Sequence, residues 1–167
     1  MKSAKWENIF KDWNRRESEE IITLKQVPVF KNFNNSEFIE LEKLMHKRIY
    51  NAEDYIFKNR APGEGMYIIV KGKVKITVGT RSKNENIFAK LSNGEFFGEL
   101  ALFDDEPRSA NAIAIEDSQL LGFFTQDLMT LQERNPVLGQ KILFNLGGLL
   151  GERLRKTNSL LVKEQSK

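Results

Sequence analysis

The spacing of apolar residues changes twice along the chain. Between Tyr55 and Phe124 it is that of strands, in short runs rich in isoleucine, valine and aromatic residues: YIF, MYIIV, KVKITV, NIFAKL, ANAIAI and QLLGFF. Clusters of glycine, asparagine, aspartate and proline separate these runs and predict turns. Within KVKITV, the residues Val74, Ile76 and Val78 alternate with polar ones, which predicts one buried face and one solvated face. Several short strands at this spacing favour an antiparallel sandwich or barrel.

Helical spacing precedes this region. The stretch from Met1 to about Lys25 is polar and charged, except for four residues that share one face of a predicted helix: Trp6, Ile9, Phe10 and Trp13. A second helix is expected from Ser36 to Lys47, with Ser36 as its N-cap. The apolar stripe of this second helix comprises Phe38, Leu41, Leu44 and Met45. Both helices are therefore predicted to be amphipathic.

Helical spacing returns after Thr125. Asn135 followed by Pro136 predicts a helix start, because the asparagine side chain accepts a hydrogen bond from a free N–H and proline fits the first helical position. A helix of about 25 residues is expected to follow. Its apolar stripe comprises Leu138, Ile142, Leu146, Leu149, Leu150, Leu154 and Leu161. Three glycines inside it predict either the close approach of another helix or a bend: Gly147, Gly148 and Gly151.

Together these patterns predict an α+β fold. Its centre is an antiparallel β roll, similar to a jelly roll, over residues of about 50–125. N-terminal helices and a long C-terminal helix flank the roll, with the C-terminal helices at residues of about 126–163. Residues 25–167 are expected to form one domain, and residues 1–24 a helical extension in front of it.

Composition excludes several classes of function. A chain of 167 residues with 40% hydrophobic and 29% charged residues has the character of one globular domain without a membrane span. Cysteine is absent, which excludes disulfides, thiolate catalysis and cysteine-ligated zinc. His46 is the single histidine, so a multi-histidine metal centre is excluded, and His46 is expected to be a surface or boundary residue. No metal or other cofactor is therefore expected.

Charge and the N-terminal residues bear on partners and location. The formal net charge is +3, from 26 basic and 23 acidic residues, and the basic residues do not form a stripe. Nucleic acid as the main partner therefore receives little support. The N-terminus contains acidic residues and lacks the apolar stretch of a secretory signal. A cytoplasmic location is expected.

The segment Phe96–Ala112, FFGELALFDDEPRSANA, carries the clearest chemistry. Gly98 lies where the chain leaves a strand, and Glu99 to Phe103 can form one helical turn. The free N–H groups at the start of such a turn favour an anion. Arg108 follows with a planar fork of donors that suits bidentate contact with a phosphate. These residues predict an anion site.

Glu99 adds a second requirement to this site. A carboxylate accepts hydrogen bonds at neutral pH, so its natural partner in a ligand is a hydroxyl group. A glutamate for a sugar and an arginine for a phosphate predict a ribose phosphate as ligand. The alternative is that Glu99 and Arg108 form an ordinary ion pair that closes a loop, with 104–106 as a solvated turn tip.

The same segment resembles the phosphate-binding cassette of the cyclic-nucleotide-binding domain family. Three upstream segments are also similar to successive β-roll segments of that family: VPVFKNF, YIFKNRAPGEGMYIIVKGKVKI and LSNGEFFGE. The resemblance extends from about Leu24 to Leu161, which is most of the chain. It implies a β-roll fold and identifies residues 25–167 as a cyclic-nucleotide-binding domain.

The resemblance also implies roles for individual residues. Glu99 would bind the ribose 2′-hydroxyl, and Arg108 would neutralise the cyclic phosphate. Backbone around the glutamate would come from Gly98, Leu100 and Ala101, and further phosphate donors from Ser109 and Ala110. Apolar contacts to the base would come from Ile76 and Phe88. The segment ERLRKTN is similar to one in which a Thr-Ser pair reaches an adenine, and the pair here is Thr157 and Asn158.

Base preference stays open at this point. The chain has Asn111 where the family usually has threonine, and Ser109 follows the arginine. In the family, threonine at that next position favours cyclic GMP and alanine favours cyclic AMP, so serine is equivocal. Cyclic AMP is the expected ligand, with cyclic GMP or a cyclic dinucleotide as alternatives.

The implied function is that of a sensor without catalytic activity, which transmits ligand binding through its C-terminal helix. Bacterial transcription factors of the family carry a DNA-binding winged helix-turn-helix after the long helix. The sequence given ends six residues after Leu161, so DNA binding is not expected. Output would pass through a protein partner, a homodimer along the Leu146–Leu161 stripe, or the N-terminal tryptophan helix.

Two other classes of protein are alternatives to this interpretation. A nucleotide-independent protein–protein interaction scaffold would keep the same fold but would have no need of Glu99 and Arg108. A cupin-class metalloenzyme has a similar shape but needs several histidine and glutamate ligands, and a chain with one histidine does not supply them.

Overall fold

A computed structural model of the chain describes residues 17–78 and 86–165. Within that part of the chain, the helices are α1 (Glu19–Gln26), α2 (Asn35–Glu42), α3 (Thr125–Arg134) and α4 (Pro136–Gln165). The strands are β1 (His46–Tyr50), β2 (Tyr55–Phe57), β3 (Gly65–Lys71), β4 (Val74–Val78), β5 (Asn86–Leu91), β6 (Phe96–Phe97), β7 (Asn111–Ala114) and β8 (Ser118–Phe124). Short 3₁₀ turns cover Pro28–Phe30 and Glu99–Leu102. The predicted α+β class is confirmed.

The eight strands form two antiparallel four-stranded sheets. One sheet has the order β1-β8-β3-β6 and the other the order β2-β7-β4-β5. Neighbours within each sheet are mostly distant in sequence, as when β1 pairs with β8 and β2 with β7. This connectivity folds the chain back on itself and closes the predicted β roll.

Strand β3 explains why one apolar run is continuous rather than alternating. Its residues Met66 and Ile68 belong to a core cluster shared with the helices, whereas Tyr67 and Ile69 belong to a second cluster inside the roll. Both faces of the strand are therefore buried, and both require apolar side chains. The helices lie against one face of the first sheet and leave the interior of the roll to the aromatic and branched residues of the two sheets.

The second predicted helix is shorter than expected, and its start is displaced. The N-cap is Asn34, not Ser36: its side chain accepts a hydrogen bond from the Glu37 N–H at 3.0 Å, and Glu37 bonds back to the Asn34 N–H. The helix ends at Glu42, and residues 46–50 form strand β1 instead of a last helical turn. Residues 46–50 form a strand because their pairing with β8 over five residues outweighs the helical preference of the local apolar spacing.

The start of the domain also differs in detail. The boundary expected after residue 24 falls inside α1, whose Ile21 and Leu24 are part of the core. Helix α1 therefore packs with the domain. The predicted amphipathic helix carrying Trp6, Ile9, Phe10 and Trp13 lies outside the described residues, as does the predicted turn GTRSKN at 79–84.

Strand β4 departs from simple alternation. Val74 is buried as predicted, but Thr77 is fully buried and Val78 is exposed. The register between β4 and β5 shifts after Ile76, which pairs with Ala89 while Thr77 pairs with Ile87. Such a β-bulge places one extra residue, Phe88, in β5 and bends the end of this hairpin. The predicted solvated face therefore does not extend to Thr77.

Helix α4 starts as predicted and is longer than expected. The Asn135 side chain accepts a hydrogen bond from the Leu138 N–H at 3.2 Å. The helix continues for 30 residues, about 45 Å at 1.5 Å per residue. Its first half buries Leu138, Ile142 and Leu146, whereas residues 152–163 are exposed throughout.

Gly147 and Gly148 of α4 face open space, whereas Gly139 and Gly151 have side-chain neighbours. Apart from the helix's own neighbouring backbone, a Cβ atom built at Gly147 or Gly148 would meet no described atom within 4 Å, and the helix runs through both positions without interruption. Neither predicted explanation, a bend or the close approach of another helix, is decided by this geometry, and both stay predictions. In the described ranges, no helix has both the length and the apolar character needed to cross a membrane.

Candidate functional site

A cavity of about 460 Å³ opens between the second sheet, β6 and the segment after it. Its walls come from four strands, the 3₁₀ turn, the loop over residues 104–110 and helix α4. The lining side chains include Phe57, Ile76, Phe88, Leu91, Phe96, Phe97, Glu99, Leu100, Arg108 and Arg153. The lining is mainly apolar, with two arginines and a glutamate as its buried or half-buried charges.

Gly98 shapes the floor of the cavity. Its φ of +76° lies in the left-handed region, which costs a residue with a side chain about 1–2 kcal/mol. A Cβ atom at this position would lie 2.8 Å from the Arg108 Nη1. Both the turn and the arginine therefore require glycine here. The predicted helical turn follows as the 3₁₀ turn Glu99–Leu102.

Arg108 is buried although it is charged. It is 7% exposed, and it donates hydrogen bonds from Nη1 to the Gly98 carbonyl at 2.9 Å and from Nη2 to the Gly65 carbonyl at 2.7 Å. Its Nε is also buried and has no hydrogen-bond partner among the described residues. Burial lowers the pKa of the Arg108 guanidinium by penalising the charged form. A buried cation with an unpaired donor is a site for an anion.

Glu99 is the second buried charge of the cavity. It is 6% exposed, and its carboxylate pairs with Arg153, which reaches it from α4. The Arg153 guanidinium also lies over the Phe96 ring, 4.8 Å from its centroid. Since Glu99 pairs with Arg153 and Arg108 bonds to backbone carbonyls, the alternative of an ordinary Glu99–Arg108 ion pair is wrong.

Nine of the eleven predicted site residues line this one cavity. They are Ile76, Phe88, Gly98, Glu99, Leu100, Ala101, Arg108, Ser109 and Ala110. Phe88 is 80% exposed and stands at the rim, where the β-bulge turns it toward the opening. The expected turn tip is exposed, but Asp104 and Glu106 also line the cavity.

Thr157 and Asn158 are not brought to the cavity. Both are exposed on the second half of α4, and the Thr157 hydroxyl donates to the Arg153 carbonyl at 3.0 Å. Thr157 lies one helical turn beyond Arg153, the residue of α4 that lines the cavity. Contact of this pair with a base stays a prediction.

Sequence analysis missed two residues with clear roles in the geometry. Arg153 lies in the segment ERLRKTN, but nothing in helical spacing indicates that it rather than Arg155 turns toward the roll. Phe57 lies in the run YIF, and its ring faces the Arg108 guanidinium at 4.2 Å from centroid to Cζ. Strand alternation would place Phe57 and Tyr55 on one face, but it cannot say which buried group that face meets.

The geometry defines what the cavity can hold. A buried guanidinium with a free donor suits an anionic group, and a buried carboxylate nearby suits a hydroxyl donor. Aromatic and aliphatic walls suit a flat apolar ring. A phosphorylated sugar that carries a base combines these three properties.

Comparison with known proteins agrees with this chemistry. Residues 47–135 match the protein family described as Cyclic nucleotide-binding domain. The chain belongs to this family. The predicted resemblance is therefore confirmed, and the cavity around Glu99 and Arg108 is the candidate site of this domain.

Individual relatives show how far the similarity extends. The chain is 33% identical over 135 residues to the Cyclic AMP receptor protein of Thermus thermophilus, an alignment covering 81% of this chain and 61% of that protein. It is 37% identical over 99 residues to a cGMP-dependent protein kinase of Drosophila melanogaster, covering 59% of this chain and 11% of the kinase. The chain thus spans less than two thirds of either relative.

A solved structure supports the fold. A cyclic nucleotide-binding domain from Methylobacillus flagellatus superposes with a TM-score of 0.75 at 25% identity. The superposition covers 87% of this chain and 82% of that one. Most of the chain therefore shares its fold with a solved cyclic nucleotide-binding domain.

Proposed function

We propose that the chain is a cyclic-nucleotide sensor that binds cyclic AMP and passes the signal on through helix α4. The observation that carries this proposal is the burial of Glu99 and Arg108 in one apolar-walled cavity, each with a charge that a ribose hydroxyl or a phosphate would complement. Binding needs no catalytic group, so the proposed role is regulatory and not enzymatic. A cytoplasmic location is part of the same proposal.

Cyclic AMP is favoured over cyclic GMP on the extent of the similarity. The relative named for cyclic AMP is aligned with 81% of this chain, whereas the kinase named for cyclic GMP is aligned with 59%. Ser109, exposed at the cavity wall, leaves cyclic GMP as the second candidate. A cyclic dinucleotide is the third.

The Arg153–Glu99 pair supplies the proposed coupling. Glu99 is the carboxylate that would accept the ribose hydroxyl, and Arg153 belongs to α4. A ligand that changes the hydrogen bonds of Glu99 therefore changes the strength with which α4 is held to the site. Ligand and helix position are then thermodynamically linked, and such coupling is typically worth about 1–3 kcal/mol.

The exposed half of α4 is the proposed output surface, and we favour a homodimer formed along it. Leu154 and Leu161 are more than half exposed, and they continue the apolar stripe of the buried half. Gly147 and Gly148 leave room for a second helix to approach closely. A different protein partner on the same stripe is the alternative.

Titration calorimetry with cyclic AMP, cyclic GMP and cyclic di-GMP tests the proposal. Cyclic AMP is expected to bind most tightly, and Arg108→Leu is expected to weaken it at least about 100-fold, because the phosphate charge loses its buried partner. Arg134→Leu serves as the matched control, since Arg134 is exposed and does not line the cavity. Unchanged binding in Arg108→Leu, or no binding of any of the three ligands by the folded wild type, would contradict the proposal.

Light scattering in the same samples tests the output surface. A dimer whose stability changes with cyclic AMP is expected. A chain that stays monomeric with and without ligand would leave nucleotide binding intact but would exclude the homodimer, and a separate protein partner would then be required.

A further inference from the structure

The ring of Phe57 lies against the guanidinium of Arg108, the buried cation of the cavity. Phe57 is the last residue of β2, and the Arg108 Cζ lies 4.2 Å from the centroid of its ring. A guanidinium over an aromatic face is attracted by the negative charge of that face, most strongly where water is excluded. Arg108 is buried, so this contact replaces part of its lost hydration.

The hydrogen bonds of Arg108 do not fix the guanidinium completely. Nη1 bonds to the Gly98 carbonyl and Nη2 to the Gly65 carbonyl, so both contacts lie at one end of the planar group. The group can still tilt about the line between these two nitrogens, and such a tilt moves Nε. A ring packed against the face of the guanidinium opposes that tilt.

The Phe57 ring is itself held in place. Its centroid lies 5.8 Å from that of Phe97 and 6.1 Å from that of Tyr67, within the range of favourable aromatic pairs. A Cβ atom at Gly98 would come within 3.2 Å of its Cε1. Phe57 is therefore packed between the interior of the roll and the turn that begins the site.

We propose that Phe57 is a positioning residue for ligand binding: its ring holds the Arg108 guanidinium in the orientation in which its charge meets the anionic group of the ligand at the cavity wall. The affinity part of this inference rests on the proposed function, because it needs an anionic ligand in the cavity. The positioning of Arg108 by the ring is independent of any ligand.

Strand β2 contains a matched control. Tyr55, two residues before Phe57, makes a similar contact with Lys58, whose Nζ lies 5.1 Å from the ring centroid. Tyr55 does not line the cavity. Tyr55→Leu therefore removes an aromatic ring and a cation–ring contact from the same strand without touching the site.

Cyclic AMP affinity is the first readout. Phe57→Leu is expected to weaken binding about tenfold, the size expected for a desolvated cation–ring contact, whereas Phe57→Tyr and Tyr55→Leu stay within about threefold of wild type. Pentafluorophenylalanine at position 57 keeps the shape of the ring and reverses its charge distribution, so it is expected to weaken binding as leucine does. Loss with leucine but not with the fluorinated ring would indicate packing alone and overturn the proposal.

The NMR signal of the Arg108 Nε–H is the second readout and needs no ligand. The proton is expected to show an upfield ring-current shift in the wild type, in Phe57→Tyr and in Tyr55→Leu, and to lose it in Phe57→Leu. A signal that is the same in wild type and Phe57→Leu would overturn the positioning role. If the wild type binds no cyclic nucleotide, the proposed function fails while this NMR comparison still decides the role of Phe57.

Discussion

The two halves of α4 are held to the domain in different ways. In the first half, Leu146 is fully buried in the core, and Lys141 bonds to both carboxylate oxygens of Glu37 and to a backbone carbonyl. In the second half, residues 152–163 are exposed, and Arg153 reaches the site through its pair with Glu99. Packing holds the first half, whereas the second half is joined to the site through Arg153, by its ion pair with Glu99 and its contact with the Phe96 ring.

Under the proposed function, this difference separates stability from signalling within one helix. The first half is held by apolar burial, which the hydrogen bonds of a ligand do not replace, so we expect this half to stay in place when a ligand binds. The second half is joined to Glu99, the carboxylate proposed to accept a ribose hydroxyl, so we expect this contact to change on binding. Helix α4 would then respond at one end while the other end keeps the fold intact.

The largest expected difference is between two leucines of this helix. Leu146→Ala is expected to lower the free energy of unfolding by about 3 kcal/mol, because it opens a cavity in the core. Leu154→Ala, at a position 61% exposed, is expected to change it by less than about 0.5 kcal/mol in the monomer. Urea denaturation measures both values. Equal losses in dilute monomer would show that the second half is packed as firmly as the first.

The ion pair at the site gives the next largest effect. Arg153→Met leaves the buried Glu99 carboxylate without its partner and is expected to lower the free energy of unfolding by about 1–2 kcal/mol. Cyclic AMP is expected to slow amide hydrogen exchange over residues 152–163 in the wild type but not in this variant. Arg155→Met, an exposed neighbour on α4, is the control and should behave as wild type. Ligand-induced protection that survives in Arg153→Met would rule out this pair as the link.

The smallest expected effect is the dependence of the free energy of unfolding on acidic pH. Burial raises the pKa of Glu37, but hydrogen bonds from the Lys141 ammonium and the Asn34 N–H outweigh it and hold that pKa below its ordinary value of 4.5. The stabilisation is therefore complete above 4.5 and is lost as the pH falls through the folded value. Lys141→Met is expected to remove about 1 kcal/mol at neutral pH and less in acid.

Denaturation of this variant and of the wild type between about pH 6 and pH 3 checks that trend. Lys156→Met, which changes an exposed lysine on the second half of the same helix, is the control. A difference between wild type and Lys141→Met that is the same at every pH would mean that the Glu37 charge has no part in holding the helix.

Local pattern was sufficient for most elements of the fold. The six strand-like runs all correspond to strands, and the Asn-Pro start of α4 is capped as predicted. Strand β1 was missed because HKRIY is polar over most of its length and is placed in the sheet by its pairing with β8. The bulge at Phe88 was missed for the same reason, since register is a property of two strands.

The residues of the candidate site also fall into two groups, those that local sequence predicts and those that depend on packing between elements. Residues 98–110 are close in sequence, so the turn, its glycine, the glutamate and the arginine could be assigned from one segment. Phe57 belongs to strand β2 and Arg153 to helix α4, and both elements are far from residues 98–110 in the chain. Their roles depend on which face of β2 meets the guanidinium and which turn of α4 reaches the cavity, and no local spacing contains that information.

The amino-acid sequence by itself determined the fold class, the family and the two charges that define the site, because each of these depends on residues that are neighbours in the chain or repeat at a regular interval. Tertiary structure alone decided that Glu99 pairs with a helix residue and that Arg108 is held between two carbonyls and a ring. Those arrangements arise from packing between elements, where burial fixes the partner of each charge.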